Sequence, residues 1–409
     1  MALPAITARF QLALAEVQWL VICYVLVYGS LMLVCGKLGD LFGHRLVFRC
    51  GLLLSAVGLT ACAAAPDWPL LLWARALQGV GTALALSCGP ALATSLYPES
   101  QRTRALAGFA ASQAIASTVG PLLGGALVQA FDWSAVYWMR VPIALAALAL
   151  SGLLPSPKPD VRPFDGWGAV LLAFSMSTLL LALKVWVLVI AAAVGIAAFV
   201  WRERRFGEPI LRPALFADPA FTIPNVLSVL TNLSSFAILL LTPYFLADVL
   251  HLSAAMIGLV MALAFVGGTA GAPLAARLVP WIGRRPTAFA GVVIVGASLV
   301  ALGWTTAAPV LALLLLIQGV AYGLFVVAYT DIVTGTLAAR DRGVAGSLSL
   351  LSRTLGIVSG ATLLSALQAY GATDGFLAGY RFAFTVAGGG LLLALLLSCA
   401  WPRAWFARG

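Results

Sequence analysis

The sequence predicts an all-α polytopic membrane protein: two six-helix bundles of parallel orientation, with two further helices inserted between them. Three observations lead there. The 409 residues are 62% hydrophobic and only 9% charged, with a mean hydropathy of +1.04. The lysines and arginines gather in alternate connecting segments. Short motifs recur at one fixed spacing of 240 residues.

A soluble chain carries about 25% charged residues, and a water-soluble core could not hide this much apolar surface. A membrane helix needs ~20 mostly apolar residues. Such stretches are expected at 18–35, 46–65, 70–96, 104–130, 135–154, 166–183, 185–201, 220–247, 254–279, 287–306, 309–331, 343–369 and 380–401. Residues 1–14 read as the remnant of another helix, too short to cross ~30 Å of hydrocarbon. They lack the basic start and compact apolar core of a cleavable leader. "PSPKPDVRPFD" (155–165) and "RERRFGEPILRPALFADP" (202–219) are polar, proline-bearing linkers. The expected division is an N-terminal bundle at 1–154, a cytoplasmic linker at 155–165, two inserted helices at 166–201, a second cytoplasmic linker at 202–219 and a C-terminal bundle at 220–409.

With the segment at 36–45 on the cytoplasmic side, the same side holds Lys37, Arg45, Arg49, Arg102, Arg104, Lys158, Arg162, Arg202, Arg204, Arg205, Arg212, Arg277, Arg284, Arg285, Arg340, Arg342, Arg403 and Arg408. Arg9, Lys184 and Arg381 fall opposite. This is the positive-inside asymmetry. It accounts for the net charge of +10 without a nucleic-acid partner. Cys23, Cys35, Cys50, Cys62, Cys88 and Cys399 lie in or beside apolar runs with no CxxC pair, which argues against a zinc site or a disulfide framework. No phosphate-binding loop and no metal cluster stands out, so no cofactor or metal is expected, and an ATP-driven pump is disfavoured. With only His44 and His251, no convergent set supports a membrane enzyme.

The repeat is read by comparing residue n with residue n + 240. Gly43-His44-Arg45 falls on Gly283-Arg284-Arg285, and Gln78-Gly79-Val80 on Gln318-Gly319-Val320. Ser112-Gln113 falls on Ser352-Arg353, Gly120 on Gly360 and Arg102 on Arg342. Parallel halves related by an axis along the membrane normal are a transporter plan, with the ligand site between them near mid-bilayer. The offset also places the counterpart of the 220–247 span mostly before residue 1, so most of a first helix is expected to be missing.

"GKLGDLFGHR" (36–45) resembles the loop between the second and third spans of the major facilitator superfamily, with His44 where the first arginine is usual. "RALQGVG" (75–81) resembles its fourth-span motif. "ASTVGPLLGG" (116–125) resembles the fifth-span antiporter motif, with Ala116 at its first glycine. "MALPAI" (1–6) is similar to the tail of the first-span motif. "DWSAVYWMRVP" (132–142) resembles the sixth-span entry, with Ser134 and Arg140 in place of arginine and asparagine. Over nearly the whole chain the resemblance is to the fourteen-span drug:proton antiporters, and it implies the major facilitator fold.

Roles follow as expectations. Gly36, Gly39 and Gly43 let helix ends approach and turn tightly. Asp40 suits a helix start, and Arg45 or Arg49 is expected to meet an acidic partner across the half. The resemblance makes this loop, with Gly283, Arg284 and Arg285 of the second copy, a conformational gate. It makes Arg75 part of proton coupling and substrate charge sensing; the bland alternative is an arginine snorkelling to the outer interface. Arg353, deeper in its span, is expected to line the cavity. Gly120, Pro121, Gly124 and Gly125 are expected to thin and bend one helix and pack it tightly, as Gly356 and Gly360 do in the other half. Tyr24, Tyr28, Gln78, Gln113, Asn232, Gln318 and Tyr322 are substrate-cavity candidates, suited to amphipathic or cationic organic molecules.

No carboxylate stands at mid-depth in any expected span; Asp331 comes closest, at a span end. A proton-driven exporter ordinarily uses such an acid, and the missing first helix is its expected supplier, so a start codon upstream of Met1 is anticipated. The expected function is proton-coupled efflux by a monomer in the cell membrane. Its partners are a small-molecule substrate, protons and the lipid bilayer. The alternative is a degenerate member that only binds or assembles.

Overall fold

Gly43 and Gly283, at φ of 93° and 91°, stand 240 residues apart, and so do Gln11 and His251, both at φ 52°. In the computed structural model these pairs are matching joints of one duplicated helical plan. A positive φ strains an L side chain, so a glycine lets one helix end and the next begin across a single residue. The structure describes residues 3–12, 14–17, 19–154, 163–182, 187–207, 210, 213–252, 254–337 and 341–406. Most of the expected linker at 155–165, and Lys184, Arg212, Arg340 and Arg408, lie outside the described residues.

The helices run in order α1 (Leu3–Phe10), α2 (Leu14–Val17), α3 (Trp19–Phe42), α4 (His44–Ala63), α5 (Trp68–Ser95), α6 (Arg102–Ala130), α7 (Ala135–Trp138) and α8 (Arg140–Leu150). The inserted hairpin is α9 (Gly166–Ala182) and α10 (Leu188–Glu203). Then follow α11 (Pro219–Tyr244), α12 (Ala254–Ile282), α13 (Arg284–Trp304), α14 (Ala308–Thr336), α15 (Arg342–Gly371), α16 (Phe376–Ser398) and the short α17 (Arg403–Phe406). Each expected span falls on a helix, and among the described residues 10 segments are long and apolar enough to cross a membrane. The segment at 36–45 is a correction. It is not a loop: α3 continues through Phe42, and Gly43 alone makes the turn.

The chain divides into two compact units. One comprises Met1–Leu96, Val119–Pro213 and Leu337–Leu350; the other comprises Tyr97–Thr118, Ala214–Thr336 and Leu351–Gly409. Each unit therefore draws on both repeats.

In the first unit α5 packs on α3 and α4, and α9 packs on α3. At the end away from the basic joints, Ile6 of α1 is fully buried in a core with Leu20, Leu59, Cys62, Leu71, Trp133 and Tyr137. The inserted hairpin is fastened at its base. Arg202 Nε donates to Asp165 Oδ2 at 2.9 Å and Arg202 Nη2 to Asp165 Oδ1 at 3.1 Å. Burial alone would push the Asp165 carboxyl up, but the Arg202 bonds and the N–H groups of Gly168 and Trp167 outweigh it and hold it below its ordinary value. A depressed carboxyl contributes stability above the unfolded value and loses it as pH falls through the folded one. Asp165→Asn is therefore expected to lower the thermal midpoint modestly from pH 7 down to pH 4, because Arg202 is partly exposed, with the difference fading in stronger acid.

In the second unit α14 packs between α12 and α13, and α16 covers α13. Val292, Val295, Leu299, Leu302, Leu311 and Leu315 are fully buried there. Arg285 closes this unit at its basic end. Its Nη1 donates to Ala404 O of α17 at 2.6 Å and to Ala220 O of α11 at 3.1 Å. Trp405 of α17 is fully buried and donates its indole N–H to Ser398 Oγ at 2.8 Å.

Candidate functional site

An α-helix leaves its first N–H groups without intrahelical partners, and in α15 two of them find Asp40. Gly343 N donates to Asp40 Oδ1 at 2.8 Å and Val344 N to Oδ2 at 3.1 Å. Asp40 sits in the last turn of α3, only 8% exposed. A carboxylate there meets both the N–H groups and the positive end of the helix dipole. Glycine is required at the crossing. A Cβ on Gly343 would lie 2.5 Å from Gly36 O, and one on Gly36 would lie 2.6 Å from Gly343 O. Asp40 was expected to suit a helix start, and it meets one; the helix it caps belongs to the other repeat. Gly36 and Gly39 are contact positions within α3, not turn residues.

The second unit holds an equivalent clasp of different chemistry. Asp331, in the last turns of α14, is 3% exposed. Arg102, the first residue of α6, reaches Asp331 Oδ1 with Nε at 2.7 Å and Nη2 at 2.6 Å. Thr103 Oγ1 donates to Asp331 Oδ2 at 2.7 Å. Gly335, one turn on, abuts the guanidinium groups of both Arg102 and Arg284. Here too a carboxylate from one repeat holds the start of a helix from the other.

Arg45 or Arg49 was expected to meet an acid across the half; the bond described for Arg45 goes to a carbonyl instead. Arg45 Nη2 donates to Gly152 O at 2.7 Å, past the end of α8. Arg285 binds the two carbonyls described above. Arg45 thus fastens the chain just past the last helix of the first repeat, and Arg285 joins α17 to the start of α11.

Arg75 lies two turns into α5, about 10 Å along the helix. Its Nε donates to Leu20 O at 3.1 Å and its Nη1 to Gln78 Oε1 at 2.7 Å. The guanidinium stands 4.4 Å over the Tyr24 ring and 5.9 Å from that of Tyr137. An arginine can only donate, so the Gln78 amide is turned with its oxygen to Arg75. Its Nε2 is then left fully buried with no hydrogen-bond partner among the described residues. Tyr24 pairs with Tyr28 at 5.1 Å, and Tyr24 Oη lies 3.3 Å from Thr82 Oγ1. Arg75, Tyr24, Tyr28 and Gln78 are thus one cluster, and the arginine is turned inward rather than snorkelling.

In the second unit the polar side chains line the α11–α14 seam. Tyr322 Oη donates to Asn232 Oδ1 at 2.6 Å, and Gln318 Nε2 to Ser235 Oγ at 3.2 Å. Tyr329 Oη bridges Asn225 Oδ1 at 2.8 Å and Ser352 Oγ at 3.2 Å. Asn225, Tyr329 and Ser235 escaped the sequence reading, and Ser352 entered it only as a repeat anchor. The signal available for the first three was their helical spacing with Asn232 and Tyr322. Arg353 follows Ser352 and is half-buried, with no hydrogen bond to a described residue. Gln113 is half-buried in α6.

The glycines of 116–125 also depart from expectation. Among the described residues, a Cβ at Gly120 or Gly124 would meet nothing within 4 Å, whereas Gly356 and Gly360 press on α11 near Val229 and Leu233. Nothing is described of the side chain of Pro121 or the surroundings of Gly125.

Comparison with known proteins places these clusters in context. The profile of the Major Facilitator Superfamily matches residues 1–217 and 225–404. The multidrug resistance protein Stp of Mycobacterium tuberculosis (strain CDC 1551 / Oshkosh) is 29% identical over 387 residues, covering 90% of this chain and 72% of its own. The riboflavin transporter RibZ of Clostridioides difficile (strain 630) is 27% identical over 381 residues, covering 90% and 84%. Among solved structures, the human organic anion transporter MFSD10 (TETRAN) superposes with a TM-score of 0.73 at 19% identity, over 93% of this chain and 83% of its own. That likeness concerns the fold alone.

Proposed function

Because the chain belongs to the major facilitator superfamily, as a multi-pass secondary transporter of the cell membrane and not an enzyme, we propose that it exports small amphipathic organic compounds in exchange for protons. Export would proceed by alternating access between the two repeats, taken as 1–154 and 220–409 with the hairpin at 166–201 inserted. The observation that carries this reading is the pair of clasps. Asp40 with the start of α15, and Asp331 with the start of α6, each tie one repeat to the other at the end carrying the basic joints. Both rest on polar bonds between helix ends, which can break and re-form as rigid helices rock. Opening them would expose the substrate path on that side; closing them would bar it.

Arg75 with Tyr24 and Tyr28 is the substrate-facing cluster in this reading. Aromatic faces would hold a flat organic compound while the guanidinium senses charge. Multidrug resistance, which the name of Stp gives for that relative, and the fourteen-span drug:proton branch suit this cluster. Riboflavin, which the name of RibZ gives for that relative, is also flat and amphipathic and belongs in the first panel tested.

Everted vesicles test the reading. Addition of a transported compound is expected to drive proton movement, and Arg75→Gln to reduce it about tenfold with insertion unchanged. Undiminished activity in that variant would remove Arg75 from the mechanism. Transport with no proton movement would remove the coupling.

A further inference from the structure

We propose that His44 is a proton-binding site that weakens the Asp40–α15 clasp when occupied. His44 is the first residue of α4, directly after the Gly43 joint. Its Nε2 lies 3.3 Å from Asp40 Oδ1, with the imidazole 16% exposed and the carboxylate fully buried. The ring is wedged between glycines of two helices. A Cβ on Gly39 of α3 would be 2.7 Å from Nδ1, and one on Gly343 of α15 would be 2.8 Å from Cε1. Nδ1 is buried with no partner among the described residues. Histidine is the side chain that ordinarily changes charge between pH 5 and 8.

The sign follows from what changes when α15 leaves. His44 and Asp40 belong to the same joint, four residues apart, so their contact survives opening and discriminates little. Burying that ion pair roughly breaks even, since desolvation offsets the Coulomb gain. Two contributions remain, and both oppose a charged imidazole in the clasped state. A second N–H at Nδ1 would be buried without an acceptor. The positive end of the α15 dipole would also face a cation. The other charges around the ring do not reverse this. Lys37 on α3 is a further cation, Arg45 on α4 is bonded to Gly152 O, and Arg49 lies a turn beyond it. Cys88 on α5 presents a thiol, Asp341 and Arg342 at the start of α15 carry opposite signs, and Asp165 is paired to Arg202. The clasp and the proton therefore compete, and by linkage each weakens the other.

The inference concerns the clasp alone, so its test needs no substrate. Hydrogen exchange of the first amides of α15, Gly343 and Val344, reads the clasp directly. Wild type and His44→Gln are compared in nanodiscs at the same pH, which cancels the intrinsic pH dependence of exchange. Equal protection is expected at pH 8. At pH 6 the wild type is expected to exchange about tenfold faster than the variant. The α13 amides, in the other unit, serve as a folding control. Should glutamine disturb them, H44N and H44K decide: H44N is expected protected at both pH values and H44K at neither. A wild-type to variant ratio that is the same at pH 6 and pH 8, or a wild type better protected at pH 6, would overturn the proposal.

Discussion

Asp331→Asn is expected to destabilise the second unit by about 3–5 kcal/mol, the cost of leaving a buried cation without its counter-charge. Asp331 and Arg102 side chains are only 4% and 12% exposed, so solvent screens the pair weakly. Asparagine retains one acceptor for Arg102 or Thr103 but cannot neutralise the guanidinium. The variant is expected to unfold at lower denaturant, with the start of α6 losing exchange protection before α13 does. The double variant Arg102→Met, Asp331→Leu is expected to recover most of the loss, because no charge is then buried alone. A double-mutant cycle on purified protein checks this. Additivity of the two single changes would show that the pair contributes nothing as a pair.

Gly343→Val is expected to abolish the first clasp. Its Cβ would stand 2.5 Å from Gly36 O, 2.8 Å from Asp40 Oδ1 and 2.8 Å from His44 Cε1. Two of those neighbours are backbone or a backbone-anchored carboxylate, so α15 must move. Overpacking costs roughly 1–3 kcal/mol, and losing two charge-assisted bonds to Asp40 adds about 1.5–3 kcal/mol each. The start of α15 is therefore expected to exchange freely in this variant while α13 stays protected. Unaltered protection of Val344 would show that the crossing tolerates a side chain.

The spans and the duplication were legible because each has a local signature. Twenty apolar residues announce a helix, and a Gly-basic-basic string at two places announces a repeat. The repeat even extends to backbone detail that no composition reports, such as the matched φ of Gln11 and His251. The clasps were not legible. Asp40 meets residues 303 and 304 positions away, and its partners are backbone N–H groups, which carry no residue identity. Asp331 and Arg102 lie 229 positions apart, and each alone reads as an ordinary charge at a span end. Arg45 misled for the converse reason. Its charge suggested an acid, yet its described partner is the Gly152 carbonyl.

The central claim is that the tie between the repeats at the basic end must open in every transport cycle. A reversible lock tests it. Pro90 of α5 and Gly346 of α15 adjoin across the two repeats, a Cβ on Gly346 lying 3.0 Å from Pro90 Cβ, so cysteines at both positions, in a background freed of the native six, should form a disulfide on oxidation. In reconstituted vesicles the oxidised protein is expected to carry no substrate, and reduction is expected to restore uptake in the same preparation. Full transport by completely cross-linked protein would contradict the account.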